Sequence, residues 1–140
     1  MSYIDQILGP GGLLAQQIQG WEVRDGQLTL AKVTDQAMCE GGTAIVEGPT
    51  GVGKSFAYLV PAIGHAACNN KRTVVATANI ALQEQLAYKD LPELQRLLPF
   101  KFTYGLLKGR NNYICPEKVI QSHADNKIAR LTLDERKQYR

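Results

Sequence analysis

The chain predicts an α/β fold, a parallel sheet flanked by helices, and three observations predict it. Two short runs rich in β-branched residues, Thr43-Ala44-Ile45-Val46 and Thr73-Val74-Val75-Ala76-Thr77, each precede a stretch with helical spacing. Between the first run and its helix stands Gly48-Pro49-Thr50-Gly51-Val52-Gly53-Lys54-Ser55, which satisfies the phosphate-loop pattern G-x-x-x-x-G-K-[ST]. Strand, glycine loop and helix in that order form the opening unit of a parallel α/β sheet.

The loop predicts a bound nucleoside triphosphate. Gly48, Gly51 and Gly53 let the backbone bend closely round phosphates, and the helix that follows points its positive end at the same anion. Pro49, Thr50 and Val52 complete the turn, Lys54 is expected to reach the β- and γ-phosphates, and the Ser55 hydroxyl is expected to ligate Mg²⁺.

At 140 residues there is room for one modest domain, and 44% apolar with 21% charged residues is ordinary for a soluble protein. No apolar run reaches the roughly 18 residues of a membrane span, and the N-terminus lacks a basic, then apolar, leader, so a cytoplasmic setting is expected. Three separated cysteines, Cys39, Cys68 and Cys115, argue against a disulfide framework. Residues 1–100 carry seven Lys/Arg against nine Asp/Glu, and residues 101–140 carry nine against four. A solvated helix face or a nucleic-acid surface explains that basic tail.

In chain order, residues 3–8 and 13–19 read as short helices parted by Gly9-Pro10-Gly11-Gly12, an entry segment expected on the outside of the domain. Leu28, Ala31, Val33, Ala37 and Met38 space a longer helix that ends at Gly41-Gly42. Arg24 and Gln27 stand at its head, either as ordinary polar residues of a helix start or as groups facing a purine edge. After the loop, Leu59, Ile63, Ala66 and Ala67 offer an apolar face, with Pro61 inside the helix as a kink or tightening point. The second βα unit places Thr77 at a strand end and Asn79 at a helix start, positions that serve ligand binding or capping equally well. Its helix carries Leu82 and Leu86 on one face and amides, Gln83 among them, on the other. Pro92 and Pro99 bracket a short helix over 93–98, and Phe100-Lys101-Phe102-Thr103-Tyr104 alternates like a half-buried strand. The loop Lys108-Gly109-Arg110-Asn111-Asn112-Tyr113-Ile114-Cys115 joins cations, an aromatic ring and a thiol. Residues 117–140 read as a charged helix with Thr132 and Glu135 spaced as a capping box, stopping in mid-element.

Taken together, Arg24-x-x-Gln27, the phosphate loop with Ala57-Tyr58-Leu59-Val60-Pro61-Ala62, the stretch Thr77-Ala78-Asn79-Ile80-Ala81-Leu82-Gln83-Glu84-Gln85-Leu86, and the loop at 108–115 resemble the DinG-like branch of superfamily 2 DNA helicases, relatives of XPD. The resemblance implies a partial RecA-like motor domain over residues 1–104, and over 105–140 the start of an inserted, mostly helical iron–sulfur domain. It implies that Arg24 and Gln27 face the adenine and that Lys54 and Ser55 serve catalysis with ATP and Mg²⁺. Thr77, Asn79 and Gln83 would grip single-stranded DNA, Lys108 and Arg110 would contact its backbone, and Cys115 would be the first thiolate of a [4Fe–4S] cluster. The activity implied is ATP-driven 5′ to 3′ translocation and unwinding of forked duplexes by a monomeric motor, in DNA repair or replication. Asp25 replaces the usual proline, Gly48-Pro49 replaces Ala-Gly, no D-E-[AH]-H box follows, and no cysteine follows Cys115. The 140 residues alone are therefore expected to bind nucleotide weakly and turn over little ATP. A small-molecule kinase and a non-catalytic nucleotide- or DNA-binding module are the alternatives.

Overall fold

The protein is described by a computed structural model over residues 2–124. The chain divides into two compact units, Met1–Gly105 and Leu106–Arg140.

The first unit opens with α1 (Tyr3–Leu8), started by a capping box in which the Asp5 N–H donates to Ser2 Oγ and the Ser2 N–H donates to the Asp5 carboxylate, each at 3.3 Å. Gly9-Pro10-Gly11-Gly12 then breaks the helix, and the chain re-enters α2 (Leu13–Gln17). These two pieces do not lie on the outside as expected. Ile4, Ile7, Leu8 and Leu14 are buried and join the main hydrophobic core, because their short apolar faces are among the few surfaces available to cover the next two helices. The Tyr3 ring lies against Gly64, whose Cβ, if present, would sit 2.9 Å from it. Its hydroxyl donates to Asp35 at 2.5 Å, and burial, with Asp35 accepting from it, pushes the phenol far up. Lys32 pairs with Asp5 at 2.6 Å and tethers the same corner.

Two sixteen-residue helices form the body. α3 (Asp25–Glu40) ends at Gly41, which takes the left-handed conformation (φ 72°) and donates to the Ala37 carbonyl. α4 (Lys54–Asn69) packs along α3 and buries Ala57, Leu59, Val60, Pro61, Ala62, Ile63 and Gly64. Ala66 is half-buried, and Ala67, expected on the apolar face, is exposed. Pro61 sits inside α4 without ending it, and its ring is buried in the core.

The second helical run is longer than its sequence pattern suggests. α5 (Ile80–Gln85) passes through a π-turn, Leu86–Asp90, directly into α6 (Leu91–Leu97), with Pro92 just past the π-turn in the first turn of α6. Leu86, Ala87, Leu94 and Leu98 complete the core. Gln95 closes the unit by donating to the Phe102 carbonyl at 2.8 Å.

The parallel sheet predicted from residues 43–46, 73–77 and 100–104 is not formed: among the described residues none is in a strand. Ile45 is 98% and Val74 85% exposed, so the first two runs have not found a layer to pack on, whereas Phe100 and Phe102 of the third pack against the helical core. A β-branched run records a preference for pleated, half-buried backbone, but a ladder also requires neighbouring strands on its hydrogen-bonding sides. The helical layer is therefore built while its sheet is not.

In the second unit, the Arg110–Asn112 turn is 3₁₀, closed by the Tyr113 N–H donating to the Arg110 carbonyl at 3.1 Å. The Lys108 N–H donates to the Tyr113 hydroxyl at 2.8 Å. α7 (Pro116–Ala124) begins the charged helix expected over 117–140; the Thr132 and Glu135 capping box lies outside the described residues.

Candidate nucleotide-binding site

The loop at 48–53 enters α4 through Gly53, and both Gly51 and Gly53 take φ 81°, a region open to glycine and strained for other residues. Its conformation is held from outside by the head of α3. The Arg24 guanidinium donates to the Gly51 carbonyl, and Gln27 Nε2 donates to the Gly53 carbonyl at 2.9 Å. Between them Gly26 admits Val52: a Cβ on Gly26 would stand 3.0 Å from Val52 Cγ2. Three residues in one helical turn thus contact three successive loop residues. Gln27 is 4% exposed, and a Cβ on Gly53 would overlap its amide at 2.2 Å, so this glycine is required by contact as well as by φ.

Lys54 Nζ donates to the carbonyls of Gly48 and Pro49 at 2.8 and 2.7 Å. These bonds fold the ammonium back over the loop, holding the cation at the place where a polyphosphate would compete for it. Burial pushes the Tyr58 phenol up, and the neighbouring Ser55 hydroxyl opposes that shift.

A cavity of about 300 Å³, small for a ligand site, opens beside Gly53, Ser55 and Phe56. Trp21, Arg24, Gln27, Gln85 and Asp90 complete its principal walls. Trp21 stacks on Phe56 with ring centroids 5.8 Å apart and an angle of 20°. Its indole Nε1 is buried without a hydrogen-bond partner, a costly state for a donor that a ligand acceptor would relieve. Trp21 was the residue missed by pattern reading. An aromatic three positions before Arg24 was a visible signal, but nothing in the spacing distinguished a cavity wall from a core ring.

This arrangement fits ATP with Mg²⁺. The glycine loop, the free end of a sixteen-residue helix, a mobile-stemmed lysine and a hydroxyl on the first turn are the donor set a Mg²⁺-triphosphate takes. The described residues do not by themselves supply the four thiolates of an iron–sulfur cluster. Cys115 is exposed and has no cysteine after it, and among the described residues no three His, Cys, Asp or Glu side chains come together as metal ligands.

Thr77, Asn79 and Gln83 do not line the cavity. Asn79 caps α5, its Oδ1 accepting from the Leu82 N–H at 3.2 Å, and the Thr77 hydroxyl accepts from the Asn79 N–H at 3.1 Å. Asn79 is thus the N-cap of α5, and Thr77 holds the cap residue in a local turn. Gln83 is half-buried on α5, while Lys108 and Arg110 lie in the second unit, half-buried and exposed.

Comparison with known proteins agrees in substance with the resemblance. The chain is 37% identical over 122 residues to the 3′-5′ exonuclease DinG of Bacillus subtilis, covering 85% of this chain and 13% of that protein. It is 39% identical over 112 residues to the ATP-dependent DNA helicase YoaA of Escherichia coli, covering 80% and 17%, and 46% identical over 103 residues to the ATP-dependent helicase DinG of Mycobacterium tuberculosis, covering 71% and 16%. The chain thus spans only 13 to 17% of the length of these curated relatives. No solved structure matches it. A family model described as DEAD/DEAH box helicase matches residues 30–122, two thirds of the chain, including the phosphate loop and α5. On that match the chain belongs to the DEAD/DEAH box helicase family, whose domain is RecA-like, and within it is similar to the DinG and YoaA proteins.

Proposed function

We propose that these residues form the nucleotide-binding part of an ATP-dependent DNA helicase that moves 5′ to 3′ on single-stranded DNA and opens forked duplexes as a monomer. The observation that carries the reading is the grip of α3 on the phosphate loop: Arg24 on Gly51 and Gln27 on Gly53, beside a cavity with an unpaired indole donor. With Nε2 committed to Gly53, Gln27 keeps Oε1 as an acceptor, suited to the exocyclic amine of adenine and unsuited to the oxygen of guanine. Trp21 and Phe56 supply the aromatic wall for the base. Lys54 would leave the Gly48 and Pro49 carbonyls for the phosphates, and Ser55 would hold Mg²⁺, which would neutralise charge on the transferring group.

On this reading the runs at 43–46, 73–77 and 100–104 pair as strands of a RecA-like parallel sheet in the full-length natural protein, a ladder that the described residues do not form. Thr77, Asn79 and Gln83 contact the DNA backbone through the head of α5, and Lys108 and Arg110 add cations from the insert at 105–140. Cys115 is one thiolate of a [4Fe–4S] cluster whose other ligands would come from outside these 140 residues. The protein is cytoplasmic; among the described residues no helix is long and apolar enough to cross a membrane. The 140 residues alone bind ATP weakly and do not turn it over, because they contain no DEAH-type carboxylates.

The test is ATP hydrolysis by the full-length natural protein with and without oligo-dT. Stimulation by the oligonucleotide, lost on raising salt, supports a motor. Equal hydrolysis in its presence and absence would favour a non-motor P-loop enzyme.

A further inference from the structure

α3 and α4 run side by side in the same direction, as two tie points show. Their heads meet at the phosphate loop, where Gln27 holds Gly53. Further along, Tyr3 lies across both: its hydroxyl donates to Asp35 on α3, and its ring lies against Gly64 on α4. Asp35 and Gly64 therefore stand at the same height, both facing the seam that Tyr3 covers.

Four residues beyond each of them comes a cysteine, Cys39 on α3 and Cys68 on α4. Residues four apart share a helix face, and four residues rise about 6 Å, so both thiols reach the far end of the same seam together. Both are exposed, and each is the penultimate residue of its helix. Behind burial and Asp35, both also help to push the Tyr3 phenol up, which puts each within electrostatic reach of one hydroxyl. Cys115 belongs to the other unit. A disulfide needs Cα atoms roughly 4.4–6.8 Å apart, and residues beside the seam of helices with axes roughly 8–10 Å apart come within that range when a last turn yields slightly. Those last turns close at Gly41 and Asn70, and helix ends are where the backbone frays most readily.

We propose that Cys39 and Cys68 are a redox-modification site, a dithiol that a small disulfide oxidises to a bridge joining the far ends of α3 and α4. One protein thiolate attacks the small disulfide, bonds to one half and releases the other. The second protein thiolate then attacks the bonded cysteine sulfur and releases the remaining half. Two protein thiols are thereby oxidised, one disulfide is reduced to two thiols, and both protons leave with those thiols. The bridge closes the chain from 39 to 68 with the phosphate loop inside it, and ties the helix pair at the end opposite the grip of Arg24 and Gln27. In a reducing compartment such a bond is transient and records the thiol balance rather than holding the fold. The site stands on the packing of α3 and α4 and does not depend on the nucleotide reading.

The experiment treats the reduced, native full-length natural protein with oxidised glutathione, blocks the remaining thiols by alkylation, digests with trypsin and reads the peptides by mass spectrometry. Cleavage after Lys32, Lys54 and Lys71 puts the two cysteines on separate peptides, 33–54 and 55–71. The expected main product is these two peptides linked, lighter than their sum by two hydrogens and separated again by dithiothreitol. Cys39→Ser is expected to abolish the link and leave Cys68 carrying one glutathione, and Cys68→Ser to do the converse. Separate glutathione adducts on Cys39 and Cys68 in the wild type, with no link, would overturn the proposal, as would thiols that stay unmodified or a link that forms only in denaturant. A bond from either cysteine to Cys115, or to a cysteine beyond these 140 residues, would overturn the pairing. Each of these failures leaves the nucleotide reading standing.

Discussion

The phosphate loop and the strand-side segment are both short, exposed and rich in polar backbone, yet they are held in opposite ways. Residues 51–53 are gripped by side chains from more than twenty positions earlier, Arg24 and Gln27, with Gly26 admitting Val52. The polar groups at the head of the 77–83 segment are held locally: Thr77 and Asn79 bond only within four residues of their own positions. A site tied by remote contacts is ordered before its ligand arrives, and much of its chemistry can be read from the fold. A segment with local caps is a well-formed helix start, and its ligand is inferred from sequence likeness alone. That difference explains why the nucleotide reading rests on geometry and the DNA reading rests on resemblance.

The largest effect is expected at Gly53. Gly53→Ala places a Cβ against Gln27 in a backbone region hostile to side chains, and should reduce ATP affinity by about two orders of magnitude or more while leaving the far-UV circular dichroism intact. An unchanged affinity would mean that the loop is not gripped by α3. Next is Gln27→Ala, which leaves the Gly53 carbonyl without its buried donor; a loss of roughly 1–3 kcal/mol, about five- to 150-fold in ATP binding by calorimetry, is expected.

Asn79→Ala should instead act locally. Removal of the cap should destabilise the start of α5 by about 0.5–2 kcal/mol, seen as faster amide exchange at Leu82 and Gln83, with ATP affinity unchanged. A drop in ATP affinity as large as that of Gln27→Ala would remove the contrast between the two regions.

The smallest effect lies far from both. Lys32 donating to Asp5 holds that carboxyl below its ordinary value of 3.8. A depressed folded value means that the stabilisation is present above about pH 3.8 and fades as pH falls through the lower folded value. Lys32→Gln should raise the Asp5 value, read by NMR titration, without altering nucleotide binding.

The sequence was most legible where local chemistry decides. Gly9-Pro10-Gly11-Gly12 parts two helices, Gly41 ends α3 in the left-handed region, and Gly53-Lys54-Ser55 starts α4, each as its residue types dictate. It was least legible where a distant partner decides. Nothing in Ile4 or Leu14 announces a core position, because short amphipathic pieces look alike on a surface and in an interior. Residues 73–77 spell a strand, and no ladder forms there, since propensity does not supply neighbours. The π-turn was invisible for the same reason: Leu82 and Leu86 fit an α-helical repeat, and only the Leu91 N–H donating to the Leu86 carbonyl, five residues back, reveals the extra residue. At the site, the G-x-x-x-x-G-K-[ST] pattern announced the loop, while the roles of Arg24 and Gln27 as its clamps needed the structure.

Lys54 is the cation on which the nucleotide reading turns. In calorimetry of Mg²⁺-ATP binding to the full-length natural protein, Lys54→Ala should lower affinity by about tenfold to 150-fold, as expected for one charge-assisted contact to phosphate, with the melting temperature unchanged. Equal affinities in the two proteins would contradict the assignment of this loop as the phosphate site.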